Sequence, residues 1–247
     1  MFSLFSKKHD DSLDLSFLKV DMHSHLLPNL DDGLESMEQT MSFAREMKQL
    51  GYKKLICTPH ILPDVHDNSP ETILPRLAEV KKALIENNID IEFEAAAEYM
   101  VGPELQHSIA NNEPLLSFGK RKYVLIEMSY AYPSQNIEQV IFDLMIKGYQ
   151  PILAHPERYS YLLGMKNVFE NFVQKGVLLQ VNILSLTGYY GKPVMMAAEY
   201  LMKKKLVSFI GTDMHHQGHL SMTKKFATNK KFNIQAQDFG FLNEILL

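Results

Sequence analysis

Tryptophan is absent from this chain, and cysteine occurs once, as Cys57. A lone thiol rules out an internal disulfide, so stability has to come from an apolar core. No apolar run approaches the roughly 20 residues that span a bilayer. Met1 to Asp14 lacks the long apolar stretch of a signal peptide, and the expected location is the cytoplasm. Positive charge is not in excess: the formal net charge is -4, which supplies no basic field for a nucleic-acid backbone and disfavours DNA or RNA as a partner. What is present is 46% hydrophobic content over 247 residues, enough for one substantial core, so residues 1–247 read as a single domain. Residues 1–15 read as a flexible arm, since termini fray. Within it, Phe2, Leu4 and Phe5 beside Lys7 and Lys8 leave a weak contact with a partner or a membrane surface as the alternative.

Short apolar runs alternate with longer amphipathic segments, the mark of a parallel α/β architecture. Seven strand candidates emerge: Lys19 to Met22, Lys54 to Cys57, Ile91 to Ala97, Tyr123 to Ile126, Pro151 to Ala154, Val177 to Ile183 and Leu206 to Ile210. Between them, Ser36 to Leu50 carries Met37, Met41, Ala44 and Met47 at helical spacing, with Ser36 and Gln39 as a capping box and Gly51 as the stop. Gln135 to Lys147 and Tyr161 to Lys175 end alike, in a lysine followed by glycine, and predict two more helices. Past Gln217 the pattern predicts a loop and then a short terminal helix.

The chemistry gathers at the strand ends. His23 and His25, one residue apart, project to the same side of an extended strand and can grip one ion. Each of His60, Glu98, Glu127, His155, Asp213 and His215 follows its own apolar run. Parallel strands in a barrel collect their functional groups at these carboxyl ends. Carboxylates converging on one mouth repel unless cations neutralise them, so the set reads as ligands for several metal ions. Imidazole and carboxylate donors without thiolate suit Mn, Fe or Zn. Asp31 or Asp32, before Gly33, offers a further carboxylate, and both residues also suit a turn. Arg158, three residues after His155, presents a bidentate fork for a phosphate, or pairs with Glu157 or Glu170. Tyr99, Tyr130, Tyr132 and Tyr159 line a pocket or pack in its rim.

The motifs Asp-Met-His-Ser-His-Leu-Leu-Pro, Leu-Asp-Asp-Gly, Thr58-Pro59-His60, Ala97-Glu98-Tyr99, His155-Pro156-Glu157-Arg158 and Gly211-Thr212-Asp213-Met214-His215 span most of the chain. Together they resemble the polymerase and histidinol phosphatase (PHP) superfamily, and within it the manganese-dependent bacterial tyrosine phosphatases of the CpsB/CapC type. The resemblance implies a distorted, TIM-like (β/α)7 barrel with three divalent metal ions at the carboxyl ends of its strands. By position, His23, His25, Glu98 and Asp213 would hold the first ion. Glu98 would bridge to a second, held also by Glu127 and His155, and Asp32, His60 and His215 would hold the third. Arg158 would contact the substrate phosphate, and His155 and His215 count with it as catalytic residues. Phosphotyrosine would be hydrolysed by a metal-bound hydroxide. The implied partner is the tyrosine-rich tail of a membrane-bound kinase controlling capsule or exopolysaccharide synthesis, and an oligomer is compatible with the resemblance.

One departure stands out: relatives often carry a second arginine shortly after the last Asp-x-His, whereas this chain reads His216-Gln217-Gly218-His219-Leu220-Ser221. His219 is one substitute; the other option is binding through the metals and Arg158 alone. Cys57 is not expected to be a nucleophile, because the sixth residue after it is Pro63 where cysteine-dependent phosphatases need arginine, and a strand-end cysteine packs as a small hydrophobe. The rivals are a small-molecule phosphomonoesterase, such as one acting on histidinol phosphate, a nuclease, which the missing basic groove disfavours, and a non-catalytic metal-binding regulatory module, which ought to have lost ligands.

Overall fold

The computed structural model describes residues 15–165, 167–228 and 239–247, so the arm expected at Met1 to Lys8 lies outside the described residues. All seven predicted strand paths are present. Two of them resume after a short break as a further strand, which makes nine strands among the described residues. β1 (Val20–Asp21), β2 (Lys54–Cys57) and β4 (Glu92–Ala95) pair in that order. β3 (His60–Ile61), β5 (Glu98–Met100), β6 (Tyr123–Glu127), β7 (Gln150–Ala154), β8 (Leu178–Asn182) and β9 (Val207–Gly211) form a second sheet in that order. Every ladder is parallel. Pro59, which has no N–H to give a ladder, separates β2 from β3. Single main-chain bonds, Ala96 N to Cys57 O at 2.9 Å and Glu98 N to Pro59 O at 3.1 Å, carry the path across the break.

Seven α-helices lie among the described residues, six between strands and the last after β9: α1 (Met37–Gln49), α2 (Pro70–Glu86), α3 (Pro103–Ala110), α4 (Ile137–Ile146), α5 (Val168–Gln174), α6 (Lys192–Lys203) and α7 (Gln217–Ala227). Their apolar faces join a large core with one side of the strands, including Val124, Ile126, Leu153, Leu179 and Val181. The alternate positions Tyr123, Leu125, Ile152 and Ala154 belong to a second, smaller cluster with Val20, Met22, Ile56 and Phe209, as the two-residue strand period requires. At the cap of α1, Ser36 Oγ accepts from Gln39 N at 3.2 Å, while Gln39 Oε1 accepts from Glu35 N rather than from Ser36 itself.

Two sequence expectations need correction. The helix predicted from Tyr161 starts only at Val168, because Ser160–Leu162 winds as a tighter 3-10 turn. The segment after Gln217 is a helix from its first residue, capped by His216 Nδ1 accepting from Gly218 N at 3.1 Å. Pairing falls into two parallel sheets, and β1 has no ladder with β9. Side chains work in that gap instead. Asp21 accepts from Thr212 N at 3.0 Å and from Thr212 Oγ1 at 2.5 Å. Asn243, buried in the C-terminal turn, accepts from Ile210 N at 3.1 Å and donates to Ile210 O at 2.6 Å and Val20 O at 2.9 Å. Beyond the strands, Asp213 N to His23 O (2.8 Å) and His25 N to Met214 O (2.9 Å) draw the two site-bearing segments together.

Replacing Asn243 by alanine leaves those main-chain groups buried without partners. The expected loss of stability is about 3 kcal/mol in chemical denaturation. Asn243→Asp sets a buried carboxylate against the Val20 and Ile210 carbonyl oxygens and should be no more stable than the alanine variant; an alanine variant as stable as the parent would show that the bridge contributes nothing.

Candidate functional site

Each strand end delivers one part of a single cluster. β3 and β5 pair with His60 opposite Glu98, while Glu98 pairs with Leu125 of β6, so Glu127 follows two residues further along the same face, opposite Met100. His23 and His25 follow β1, and Gly211 lets them approach β9: a Cβ there would lie 2.8 Å from His23 Cβ. Gly33 is equally constrained, because its Cβ would lie 2.2 Å from the His25 carbonyl oxygen. His155 and Asp213 take left-handed backbone conformations, with φ of 32° and 50°, which turn the chain sharply at the ends of β7 and β9.

Glu98 is the centre. It is fully buried, with His23 Nε2 and His155 Nε2 at 3.0 Å and His25 Nε2 and His60 Nδ1 at 3.4 Å. Glu127 Oε1 lies 2.8 Å from His60 Nδ1. Asp213 divides its oxygens: Oδ1 faces His23, His25 and His215 at 3.4 to 3.5 Å, and Oδ2 accepts from Arg158 Nη1 at 2.8 Å and Asn182 Nδ2 at 2.6 Å. Three sets of donor atoms are each compact enough to hold an ion: His23, His25, Glu98 and Asp213; His60, Glu98 and Glu127; and His25, Asp32, His60 and His215. His155 reaches Glu98 without falling inside one of these sets. The neighbouring aspartates divide: Asp32 Oδ1 joins the third set, whereas Asp31 Oδ2 binds His25 Nδ1 at 2.6 Å and fixes that ring.

Sequence reading missed two supports. Gln180 Oε1 meets His23 Nδ1 at 2.9 Å, and Gln180 Nε2 donates to Asn182 Oδ1 at 2.9 Å. Their signal is the alternation of polar residues in Leu178-Leu179-Gln180-Val181-Asn182, which lies inside a strand rather than at its end. Of the four tyrosines singled out, Tyr130 alone borders the cavity beside the cluster, a space of about 210 Å³ also lined by Arg158, Tyr190, His216 and His219. Tyr99 and Tyr159 are core residues whose hydroxyls accept from Leu116 N and Met128 N, and Tyr132 lies in a different groove. Glu157 does not pair with Arg158: its Oε1 accepts from Ser185 Oγ and Asn182 N. His219 meets the Asp213 carbonyl through Nδ1 at 3.0 Å, and burial pulls its pKa down to about 4, so it brings no positive charge. Burial pushes the Cys57 thiol up to about 12, which removes it as a nucleophile.

The cluster is charge-balanced by protons. Burial opposes charge on His23, yet Glu98 and Asp213 overcome it and raise the imidazole to about 9. His25 is raised well above its usual range against the same burial, chiefly by Asp31. The hydrogen bond from His215 leads in holding Asp32 down to about 2. Cations entering such a set would displace these protons, which is the behaviour of a metal site and fits the nitrogen and oxygen donors present. His23 ionisation therefore stabilises the metal-free protein fully below pH 6.5, and that contribution is lost as pH rises through about 9. In chelator-stripped protein, Mn2+ titration by calorimetry should release protons to the buffer, with apparent affinity rising from pH 6.5 to 9. An affinity flat across that interval would contradict the coupling.

A sequence profile described as capsular polysaccharide synthesis, CpsB/CapC, matches residues 19–233. The tyrosine-protein phosphatase YwqE of Bacillus subtilis is 29% identical over 221 residues, 90% of this chain and 85% of that protein. The tyrosine-protein phosphatase CpsB of Streptococcus agalactiae is 26% identical over 231 residues, 90% of this chain and 91% of that one. A crystal structure from work on YwqE of Bacillus subtilis and CpsB of Streptococcus pneumoniae, described as metal-dependent tyrosine phosphatases, superposes with a TM-score of 0.80 at 29% identity, covering 92% of this chain and 94% of the other. An amidohydrolase from Mycoplasma synoviae shares the fold alone, with a TM-score of 0.56 at 12% identity over 94% of this chain and 88% of its own. The profile match extends across the cluster and its supporting strands, and this chain belongs to the CpsB/CapC family of capsular polysaccharide synthesis proteins.

Proposed function

We propose that this protein is a metal-dependent protein-tyrosine phosphatase, acting on the tyrosine-rich tail of a membrane-bound kinase that controls capsular or exopolysaccharide synthesis. The observation that carries the reading is the clustering of three ion-sized donor sets, two sharing Glu98 and the third sharing His25 and His60 with them, beside Arg158, which Asp213 holds at the cavity wall. Family membership and the likeness to metal-dependent relatives support it. We assign His23, His25, Glu98 and Asp213 to one ion, Glu98, Glu127 and His155 to a second, and Asp32, His60 and His215 to a third, with Mn the leading candidate. We also read the two sheets as parts of one distorted barrel, and the whole chain as one domain. A sole, buried cysteine suits the reducing cytoplasm, and among the described residues no helix is long and apolar enough to cross a membrane.

Divalent ions in these sets supply Lewis acidity, making water nucleophilic at neutral pH without a thiolate and offsetting phosphoryl charge. The side chains do the rest. Arg158 spends Nη1 on Asp213, and its guanidinium lies 4.7 Å from the Tyr130 ring centroid and 4.3 Å from that of Tyr190. Held against the two rings, the fork presents its remaining N–H groups to a phosphoryl group, which it binds best as charge builds in the transition state. Gln180, Asn182 and Asp31 keep the imidazoles and Asp213 from rotating, so little reorganisation is left for the reaction. A tyrosine leaving group, of pKa about 10, needs less protonation than an alkoxide.

Mn-loaded protein should release phosphate from a phosphotyrosyl peptide and leave histidinol phosphate largely untouched. His155→Ala should abolish the release. Arg158→Lys keeps charge but not the fork or the stacking, and kcat/KM should fall about 100-fold. Cys57→Ser should retain activity. Turnover of histidinol phosphate alone would favour the small-molecule reading, and turnover of neither substrate the regulatory one.

A further inference from the structure

The cavity beside the histidine and carboxylate cluster measures about 210 Å³. Sites that enclose a whole small ligand begin at roughly 300 Å³, so this one takes the head of a phosphorylated side chain and leaves the chain that carries it outside. A second concavity, of about 570 Å³, shares two walls with the first. The β3 segment gives His60 to the cavity and, just beyond it, Leu62, Pro63 and Asp64 to the groove. The loop after β6 gives Tyr130 to the cavity and Ser129 and Tyr132 to the groove. The remaining wall leads into α3 from Met100, which lies opposite Glu127 in the strand register, and from Val101, whose N–H donates to Glu127 O at 2.8 Å.

The groove is built to stay open. Pro63, Pro103 and Pro133 line it with fixed φ. Tyr161 Oη donates to Ser129 O at 2.8 Å, and Asn136 Nδ2 donates to Gln106 Oε1 at 3.1 Å, which ties the loop after β6 to α3. An extended peptide laid there therefore demands little ordering of the protein. Met100, the prolines and the ring of Tyr132, which is 67% exposed, offer it apolar surface. The charge is of one sign: Asp64 and Glu104, both exposed, line the groove, and no lysine, arginine or histidine does. Among the described residues neither carboxylate is engaged in an ion pair.

We infer that this groove receives the residues flanking the phosphotyrosine of a protein substrate, and that Asp64 and Glu104 favour a flank carrying lysine or arginine over an acidic one. This rests on the phosphatase reading for its substrate. Mn-loaded protein is given phosphotyrosyl peptides that differ only in having lysine or glutamate at the second and third residues on one side of the phosphotyrosine, and then on the other. On one side KM for the lysine peptide should be about 5-fold below that for the glutamate peptide, the upper range for exposed charge pairs, with kcat alike. The gap should narrow as salt rises. The double variant Asp64→Asn, Glu104→Gln should lose the preference; both peptides meet the same protein, so a general loss of activity cancels in their ratio. Equal KM values in the parent, or a preference that survives in the double variant, would overturn the assignment. So would a multimer of the parent that Tyr132→Asp dissociates in sedimentation, since the groove would then belong to a second copy. Phenyl phosphate, which has no flanking chain, separates the two readings. Its turnover beside equal handling of the peptides keeps the phosphatase and removes the groove's role, whereas turnover of neither it nor any peptide sinks both.

Discussion

A single carboxylate without solvent exposure, Glu98, organises the molecule's working face. Moving an ionised carboxylate into the interior is costly unless opposite charge and hydrogen bonds meet it there. Four imidazoles do so, at 3.0 to 3.4 Å, and they come from the segments after β1 and β7 and from β3. The irregular features nearby follow from that requirement. β3 is a two-residue strand that does little beyond setting His60 in register with Glu98. Gly211 admits His23 at a distance no other residue would allow, and His155 and Asp213 accept left-handed backbone to present their side chains.

Around this centre lies a layer of neutral and acidic groups that do not touch the cavity but decide the orientation of those that do. Gln180 joins His23 to Asn182, Asn182 joins Asp213, and Asp31 fixes His25 while accepting from His60 N at 3.1 Å. The chain is continuous from one strand end to the next. Displacing one member therefore disturbs ligands it never contacts, which is why such a network is worth more than its separate hydrogen bonds.

Much of this was legible in the sequence because two simple regularities coincide: apolar runs of strand length, and a His or a carboxylate immediately after each. Strand paths and cluster residues follow from that pattern. Other parts depend on side chains acting out of type. α7 was read as a loop because its buried face includes His219 and Thr223 and its cap is a histidine. Gln180 and Asn182 were passed over because they point inward from within β8 rather than from its end. Tyr190 follows no apolar run, whereas Tyr99 and Tyr159 do and turn out to be core residues. The break into two sheets has no periodic signature, since a single residue, Pro59, interrupts one path and a distant asparagine bridges the gap on the other side.

That asparagine sets an order on assembly. Val20 and its partner Asn243 are separated by 223 residues, and the bond between them fills the space where β1 and β9 have no ladder. During synthesis the first strand leaves the ribosome long before the group that fastens it to the last. Until Thr212 to Met214 and then Asn243 are in place, the edges of β1 and β9 expose main-chain N–H and C=O groups, and such edges are where strands of separate chains join. The nascent chain is thus most open to mispairing late in translation, and the C-terminal turn acts as the latch that ends this exposure.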